Sequence, residues 1–153
     1  MKTFLVAVCV FLVSIPLSAQ DRMHYREFHL GADVAAIAAL VASGLPTREF
    51  TFVGFVEKKS GPRRRLLEHL LAEGRTVVLY ESPYRVADLL ADLASIAPAA
   101  PVVIARELTK LHEEVVRGMA GELAERFAAK APKGEVTIVF GPPTAEPPSQ
   151  AQA

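Results

Sequence analysis

The stretch Val102–Gly118, VVIARELTKLHEEVVRG, decides how the fold of this chain is interpreted. It opens with an uninterrupted apolar run, Val102–Ala105, which is typical of a strand buried on both faces of a sheet. The run passes directly into ionisable residues, beginning with Arg106 and Glu107. A buried strand that ends in charge places those side chains at the carboxyl edge of the sheet, which is where open α/β sheets bind ligands. The sequence therefore predicts an α/β protein with a candidate ligand site at this edge.

Helical and extended patterns alternate on both sides of this stretch. Apolar residues at helical spacing predict four helices, at Val34–Val41, Arg63–Glu73, Ser82–Ile96 and Gly121–Ala129. Runs of β-branched and aromatic residues predict five extended segments, at Phe50–Val56, Thr76–Tyr80, Pro101–Ala105, Glu113–Arg117 and Glu135–Phe140. This alternation predicts a three-layer α/β sandwich.

The composition limits the classes of function. The chain has 153 residues, enough for one domain of ordinary size, and 51% of them are hydrophobic. Its 17 basic and 17 acidic residues cancel, which excludes a protein that coats polyanions but permits a local basic patch. The one cysteine, Cys9, cannot form an intramolecular disulfide, and no Cys/His spacing is typical of zinc. We therefore expect no metal site.

The two ends of the chain differ from the middle. Residues 1–20 combine a positive start, an uncharged apolar run and small residues at the end, which is typical of a secretory signal peptide. The apolar run, Phe4–Leu17, is too short and wrongly flanked for a stable membrane span. Residues 21–31 are predicted as a linker, residues 32–141 as the α/β domain and residues 142–153 as a disordered proline-rich tail.

A basic group precedes the second predicted helix: Lys58, Lys59, Arg63, Arg64 and Arg65 place five cations within eight residues. Cations at a helix N-terminus oppose the helix macrodipole, which favours a functional reason for their presence. One interpretation is a phosphate-binding patch for nucleic acid. The other is a solvated loop and helix start without a ligand.

A second charged strand end is Glu81–Arg85, ESPYR, between a buried strand and a helix. Ser82 and Pro83 suit a helix start, because serine caps free N–H groups and proline loses nothing in a first turn. Capping leaves the acidic and basic residues of the segment unexplained. Together with Arg106 and Glu107 they form either a ligand site or a salt-bridge network between neighbouring loops.

His112, beside Glu113 and Glu114, is a candidate general base. No serine or cysteine lies in the strained turn typical of a nucleophile, and no second residue completes a triad. The sequence also has no GxGxxG and no P-loop motif. The catalytic residue therefore stays unassigned.

Several segments together resemble one family. They are SGLPT (Ser43–Thr47), the FxFxGF pattern at Phe50–Phe55, LYESPYR (Leu79–Arg85), ARELTKLHEEVVRG (Ala105–Gly118) and GEVTIVFGP (Gly134–Pro142). In this order they are similar to the C-terminal half of the bacterial small-subunit (16S) ribosomal RNA cytidine 2′-O-methyltransferases, within the tetrapyrrole methylase-like superfamily. The resemblance runs from about Ala35 to Gly141.

The resemblance implies a mixed five-stranded sheet with helices on both faces, S-adenosylmethionine as cofactor, and methyl transfer to a ribose hydroxyl of small-subunit ribosomal RNA. By alignment, the cofactor-facing positions are Asp33, Val34, Glu81 and Leu108, and the basic group faces the RNA. The resemblance also implies a homodimer and a cytoplasmic location. The signal-like residues 1–20 conflict with that location, since they would imply export.

Two features depart from the family pattern. The family's N-terminal domain carries a glycine-rich cofactor segment that nothing in residues 1–30 matches, and its GPSA segment is replaced by GADV at Gly31–Val34. We therefore expect very weak cofactor binding and no methyl transfer by this chain alone, as a truncated C-terminal domain. The alternative is a non-catalytic exported or repurposed domain that serves for binding or dimerisation. A third interpretation is that residues 1–30 arise from a wrong start site or a frameshift.

Overall fold

The computed structural model describes residues 30–143, with side chains from residue 34 onward. The signal-like residues 1–20, most of the predicted linker 21–31 and most of the predicted tail 142–153 lie outside the described residues. What the sequence predicts for these segments stays a prediction.

Four α-helices and five strands make up the described part of the chain. The helices are α1 (Leu30–Ser43), α2 (Ser60–Ala72), α3 (Val86–Ile96) and α4 (Ala120–Ala129). The strands are β1 (Phe50–Phe55), β2 (Thr76–Glu81), β3 (Pro101–Arg106), β4 (Glu114–Met119) and β5 (Val136–Phe140). The predicted order of elements and the α/β fold class are confirmed.

All four helix starts differ from the predicted residues. Helix α1 begins at Leu30 rather than Val34, and α4 begins at Ala120 rather than Gly121. The other two starts involve proline. Helix α2 begins at Ser60 rather than at Arg63, so that Pro62 lies within its first turn. The N–H groups of a first turn have no intrahelical acceptor, and a proline there removes no hydrogen bond. Before α3, Pro83–Arg85 forms a single 3-10 turn, and the α-helix starts at Val86. Pro62 therefore lies inside the first turn of α2, whereas Pro83 is the first residue of the 3-10 turn before α3.

The sheet is mixed and has the strand order β1-β2-β5-β3-β4. Strands β1 and β2 are parallel, and all other neighbours are antiparallel. Because β5 lies antiparallel between β2 and β3, those two strands run in the same direction and end at the same edge. The amino end of β5 lies between their carboxyl ends. We call this side of the molecule the carboxyl edge.

Helices cover both faces of the sheet. Helices α2, α3 and α4 share the larger core, which includes the fully buried Leu67, Leu89 and Phe140. On the other face, α1 contributes Leu40 to a smaller core that also contains Val103. Strand β5 is buried along its whole length, which explains why its sequence is apolar without alternation. The predicted three layers are present.

Candidate functional site

A cavity of about 610 Å³ opens at the carboxyl edge. Its lining comes from four strand ends and from α1: Ala35, Phe55, Tyr80, Glu81, Ser82, Pro83, Ala105, Leu108, Gly134, Glu135, Val136 and Thr137. A volume of this size, lined largely by apolar groups with a few polar ones, is typical of small-molecule sites. We call it the edge cavity.

Glu81 is the buried carboxylate of the edge cavity and the last residue of β2. Its Oε1 accepts hydrogen bonds from the backbone N–H of Ser82, at 2.7 Å, and from the guanidinium of Arg85. Its Oε2 is buried and has no hydrogen-bond partner among the described residues. A buried polar atom without a partner is costly to the folded state. This oxygen therefore marks a position that suits a donor group of a ligand.

The predicted capping role of Ser82 is wrong. Within residues 34–143, no side-chain hydrogen bond caps the turn that follows it. The N–H of Ser82 donates to Glu81, and the same carboxylate binds Arg85 four residues later. A carboxylate rather than a hydroxyl therefore joins the end of β2 to the following turn.

Leu108 reaches the edge cavity from the loop between β3 and β4. Its neighbours Glu107 and Thr109 have φ angles of 50° and 67°, in the left-handed region that residues other than glycine seldom adopt. Such conformations persist only where surrounding contacts hold them. The N–H of Glu107 donates to the carbonyl of Glu135, and the N–H of Thr109 donates to the carboxylate of Glu113 at 2.8 Å. These contacts fix the position of Leu108.

Gly134 is required by a contact between the same loop and β5. The Oε1 atom of Glu107 accepts hydrogen bonds from the N–H of Glu135, at 2.8 Å, and from Nζ of Lys110, at 3.4 Å. A Cβ atom at Gly134 would lie 2.1 Å from that oxygen, and the φ angle of Gly134, 85°, also favours glycine. The loop and the start of β5 are thereby held together beside the cavity.

The contact between Glu107 and Glu135 depends on pH. The backbone hydrogen bond from Glu135, and then the charge of Lys110, lower the pKa of Glu107 below its usual value of 4.5. A lowered pKa means that the ionised carboxylate stabilises the fold above about pH 4.5, and that this is lost as the pH falls through the lowered pKa.

We expect the variant Glu107→Gln to be less stable than the wild type at neutral pH, because the amide keeps an acceptor but loses the charge. The difference in the free energy of unfolding should shrink as the pH falls from 4.5 through the lowered pKa of Glu107, below which the wild-type carboxylate is protonated as well. Urea unfolding at a series of pH values measures it. A difference that does not change with pH would contradict this assignment.

Aromatic side chains form the β1 side of the edge cavity. The ring of Tyr80 contacts Phe52 edge-to-face, with 5.2 Å between centroids, and lies 5.8 Å from the ring of Phe55. Phe55 lines the cavity yet is 57% exposed. An exposed ring at the mouth of a cavity offers apolar surface to a flat ligand group.

The structure brings together two of the four residues predicted to face the cofactor. Glu81 and Leu108 both line the edge cavity. Val34 is 62% exposed on α1 and is not among the lining residues, whereas its neighbour Ala35 is. The side chain of Asp33 lies outside the described residues.

The two charged strand ends form local pairs rather than one network. Glu81 binds Arg85 within its own segment, and Arg106 binds Glu114 across the β3–β4 hairpin at 2.5 Å. Among the described residues, no ion pair joins the two ends to each other. The candidate general base His112 is exposed and is not among the residues that line the edge cavity.

The basic group separates into one buried and four exposed cations. Arg63 is 3% exposed, its guanidinium lies 2.7 Å from the carboxylate of Asp92, and it donates to two backbone carbonyls. The exposed members are Lys58, Lys59, Arg64 and Arg65. Because Arg63 joins α2 to α3, it is not accessible to RNA in this structure. The sequence-based prediction places it instead on the surface that faces the RNA.

No pattern in the sequence indicates that β5 contributes to the cavity. Gly134–Thr137 lie at the start of a strand, whereas the charged segments that the sequence indicates lie where β2 and β3 finish. The strand order places the start of β5 between the ends of β2 and β3. A glycine just before an apolar run is the one local signal, and it indicates close backbone approach without naming the partner.

A family model described as Tetrapyrrole (Corrin/Porphyrin) Methylases matches residues 34–124 of the chain. The chain belongs to the tetrapyrrole methylase family. The matched residues of this tetrapyrrole methylase domain include both residues, Glu81 and Leu108, that were predicted to face the cofactor and that line the edge cavity.

Curated relatives of this tetrapyrrole methylase chain carry the name ribosomal RNA small subunit methyltransferase I. The relative from Erythrobacter litoralis is 41% identical over 119 residues, which cover 78% of this chain and 42% of the relative. The one from Mycobacterium tuberculosis is 49% identical over 106 residues, covering 69% and 37%. The one from Thermotoga maritima is 43% identical over 106 residues, covering 69% and 47%. The chain spans less than half the length of each of these relatives.

Solved tetrapyrrole methylase structures share the fold. The methyltransferase CobJ superposes with a TM-score of 0.54 at 16% identity, over 73% of this chain and 52% of that one. The cobalt precorrin-4 methyltransferase CbiF gives 0.53 at 17% identity, over 70% and 48%. At these identities the likeness confirms the α/β fold alone.

In the part of this tetrapyrrole methylase chain that the structure describes, no group of three or more His, Cys, Asp or Glu side chains could hold a metal ion. None of the helices within residues 30–143 combines the length and the apolar character that crossing a membrane requires.

Proposed function

We propose that the edge cavity is one wall of an S-adenosylmethionine pocket, in a protein that methylates a cytidine 2′-hydroxyl of small-subunit ribosomal RNA. The observation that carries the proposal is the meeting of Glu81 and Leu108 in one cavity, since both were predicted to face the cofactor from the resemblance alone. The names of the curated relatives support the class of substrate.

The lining of the edge cavity fits the adenosine part of this cofactor. The exposed ring of Phe55 and the side chain of Leu108 offer apolar surface to a flat purine. The buried Oε2 of Glu81 is an acceptor without a donor, which suits a ribose hydroxyl. Acidic residues near strand ends hold ribose in the same way in dinucleotide-binding folds.

The chain's own contribution to methyl transfer is positioning. When bound, S-adenosylmethionine supplies a methyl group on a sulfonium, which is an electrophile. A wall of fixed shape lowers the entropic cost of aligning cofactor and acceptor. The contact of Glu107 with Glu135 and the ion pair of Glu81 with Arg85 fix the two loops of that wall. No described side chain is assigned to accept the proton of the hydroxyl.

Four exposed cations are proposed to contact the RNA: Lys58, Lys59, Arg64 and Arg65. They lie on the loop after β1 and at the start of α2, and the carboxyl end of β1 is at the carboxyl edge. Cations beside a cofactor site neutralise phosphates and position the strand that carries the acceptor. Arg63 is left out of this set because its charge is matched by Asp92.

Binding of S-adenosylhomocysteine, the demethylated form of the cofactor, tests the proposal in solution. We expect Leu108→Asp to weaken binding by about tenfold or more, because it places a charge in the apolar part of the cavity. Leu111→Asp is the matched control, since Leu111 lies in the same loop and is 93% exposed. Ligand-observed NMR registers even weak binding. Absence of binding to the wild type, or equal losses in both variants, would contradict the proposal.

Because ribosomal RNA methylation takes place in the cytoplasm, we propose a cytoplasmic location for the protein. We also propose that it forms a homodimer. On α1, Val34, Ile37 and Val41 form an exposed apolar stripe at helical spacing, which supports association. The alternative, an exported or repurposed domain, depends on residues 1–20, which lie outside the described residues. Mature protein found outside the cytoplasm and cleaved near Gln20 would favour that alternative.

A further inference from the structure

A second cavity, of about 400 Å³, lies beneath α4 at the β4 end of the carboxyl edge. Its floor is apolar and includes Ile104 and Phe127 of the larger core. Its charged lining consists of Arg106, Glu114, Arg126, Lys130 and Lys133. We call these five side chains the β4-end cluster. None of them lines the edge cavity.

The β4-end cluster has an excess of positive charge. Its one carboxylate, Glu114, binds Arg106 at 2.5 Å and lies 4.0 Å from Arg126. Lys130 and Lys133 have no acidic partner within the described part of the chain. Four cations around one carboxylate give the mouth of the cavity a positive potential, which favours an anionic ligand.

The helix macrodipole explains only part of this arrangement. Arg126 lies in the last turn of α4 and Lys130 directly follows it, so both are favourable at a helix C-terminus without any ligand. Arg106 ends β3, and Lys133 belongs to the segment before β5. These two cations come from other elements and line the same cavity. The dipole of α4 does not explain their presence there.

We propose that the β4-end cluster binds a backbone phosphate of single-stranded RNA, as a second contact that extends the proposed RNA surface; this inference rests on the proposed function. The sheet order separates the cluster, at β3 and β4, from the exposed cations that follow β1. Five strands at the usual spacing span about 19 Å between β1 and β4. An RNA strand along the carboxyl edge contacts both basic groups and passes the edge cavity between them.

Binding of a short single-stranded RNA of mixed sequence to the full chain tests the inference. We expect the double variant Lys130→Gln/Lys133→Gln to bind more weakly, and the slope of log affinity against log salt to fall by about 0.7 for each phosphate that the variant no longer neutralises. The matched control is Arg48→Gln/Arg75→Gln, which removes two exposed cations at the opposite edge, before β1 and β2. This control should leave affinity and slope unchanged.

Several outcomes would overturn the inference: no RNA binding by the wild type, unchanged binding in the lysine variant, or an equal loss in the control. Binding of S-adenosylhomocysteine is measured in the same proteins, and the lysine variant should retain it because it leaves the edge cavity intact. Retained S-adenosylhomocysteine binding without an effect on RNA removes this inference alone. If the lysine variant loses RNA affinity but the wild type binds no S-adenosylhomocysteine, only the proposed cofactor pocket is contradicted.

Discussion

Replacing Arg63 by alanine should lower the free energy of unfolding by about 3 to 5 kcal/mol, because it removes one partner of a buried ion pair. The side chains of Arg63 and Asp92 are 4% and 12% exposed. Without the guanidinium, the carboxylate of Asp92 keeps the hydroxyl of Ser60 as its side-chain donor among the described residues. The backbone carbonyls of Lys58 and Asp88 also lose a donor. Urea unfolding followed by circular dichroism measures the loss.

Arg64→Ala is the matched control for this variant, since Arg64 is the next residue in α2 and is exposed. Its effect on the free energy of unfolding should stay within about 0.5 kcal/mol. The proposed RNA surface predicts the opposite order for RNA affinity, in which Arg64→Ala weakens binding. Similar small losses of stability in both variants would show that the Arg63–Asp92 pair does not join α2 to α3.

Replacing Arg85 by alanine is expected to cost about 3 kcal/mol, because Glu81 then stays buried with a single backbone donor. The side chain of Glu81 has no exposed surface and that of Arg85 is 20% exposed, so water can compensate only at the arginine end. Replacing both residues, as Glu81→Leu/Arg85→Met, should cost less than Arg85→Ala, since no charge is left buried. A double variant at least as unstable as the single one would contradict this explanation.

Arg106→Ala is the control at the corresponding end of β3. The pair of Arg106 with Glu114 has side chains that are 25% and 45% exposed, so solvent screens it. Its removal should cost less than about 1 kcal/mol. A loss as large as that of Arg85→Ala would show that burial is not what makes the Glu81 pair strong.

The elements of the fold could be predicted from sequence because their signals are local. The apolar runs of β2, β3 and β5 and the helical spacing in α3 identify each element without knowledge of the others. The order of strands could not be predicted in the same way. Strand β5 is last in the chain but central in the sheet, and pairing between distant segments leaves no periodic trace. The contribution of Gly134–Thr137 to the cavity therefore appears only in the structure.

The separation of the basic group into one buried and four exposed cations could not be predicted from sequence either. Arg63, Arg64 and Arg65 are chemically identical neighbours, and the sequence assigns all three to one surface. Successive residues of a helix differ by about 100° in direction, so only one of them turns toward α3. The charge that matches Arg63 is Asp92, 29 residues further along the chain. Which arginine is structural thus depends on how two helices pack, whereas Glu81 and Leu108 could be identified because the family resemblance aligns both with cofactor-facing positions.

Backbone NMR of the isotope-labelled chain, titrated with S-adenosylhomocysteine, shows where the cofactor binds. If the edge cavity holds its adenosine part, the largest shifts will fall on Glu81, Leu108 and Val136, which line that cavity. The resonances of residues before β1 and β2 at the opposite edge, such as Arg48 and Arg75, will not shift. Shifts concentrated at that opposite edge, or no shifts at any concentration reached, would contradict the assignment of the edge cavity to S-adenosylmethionine.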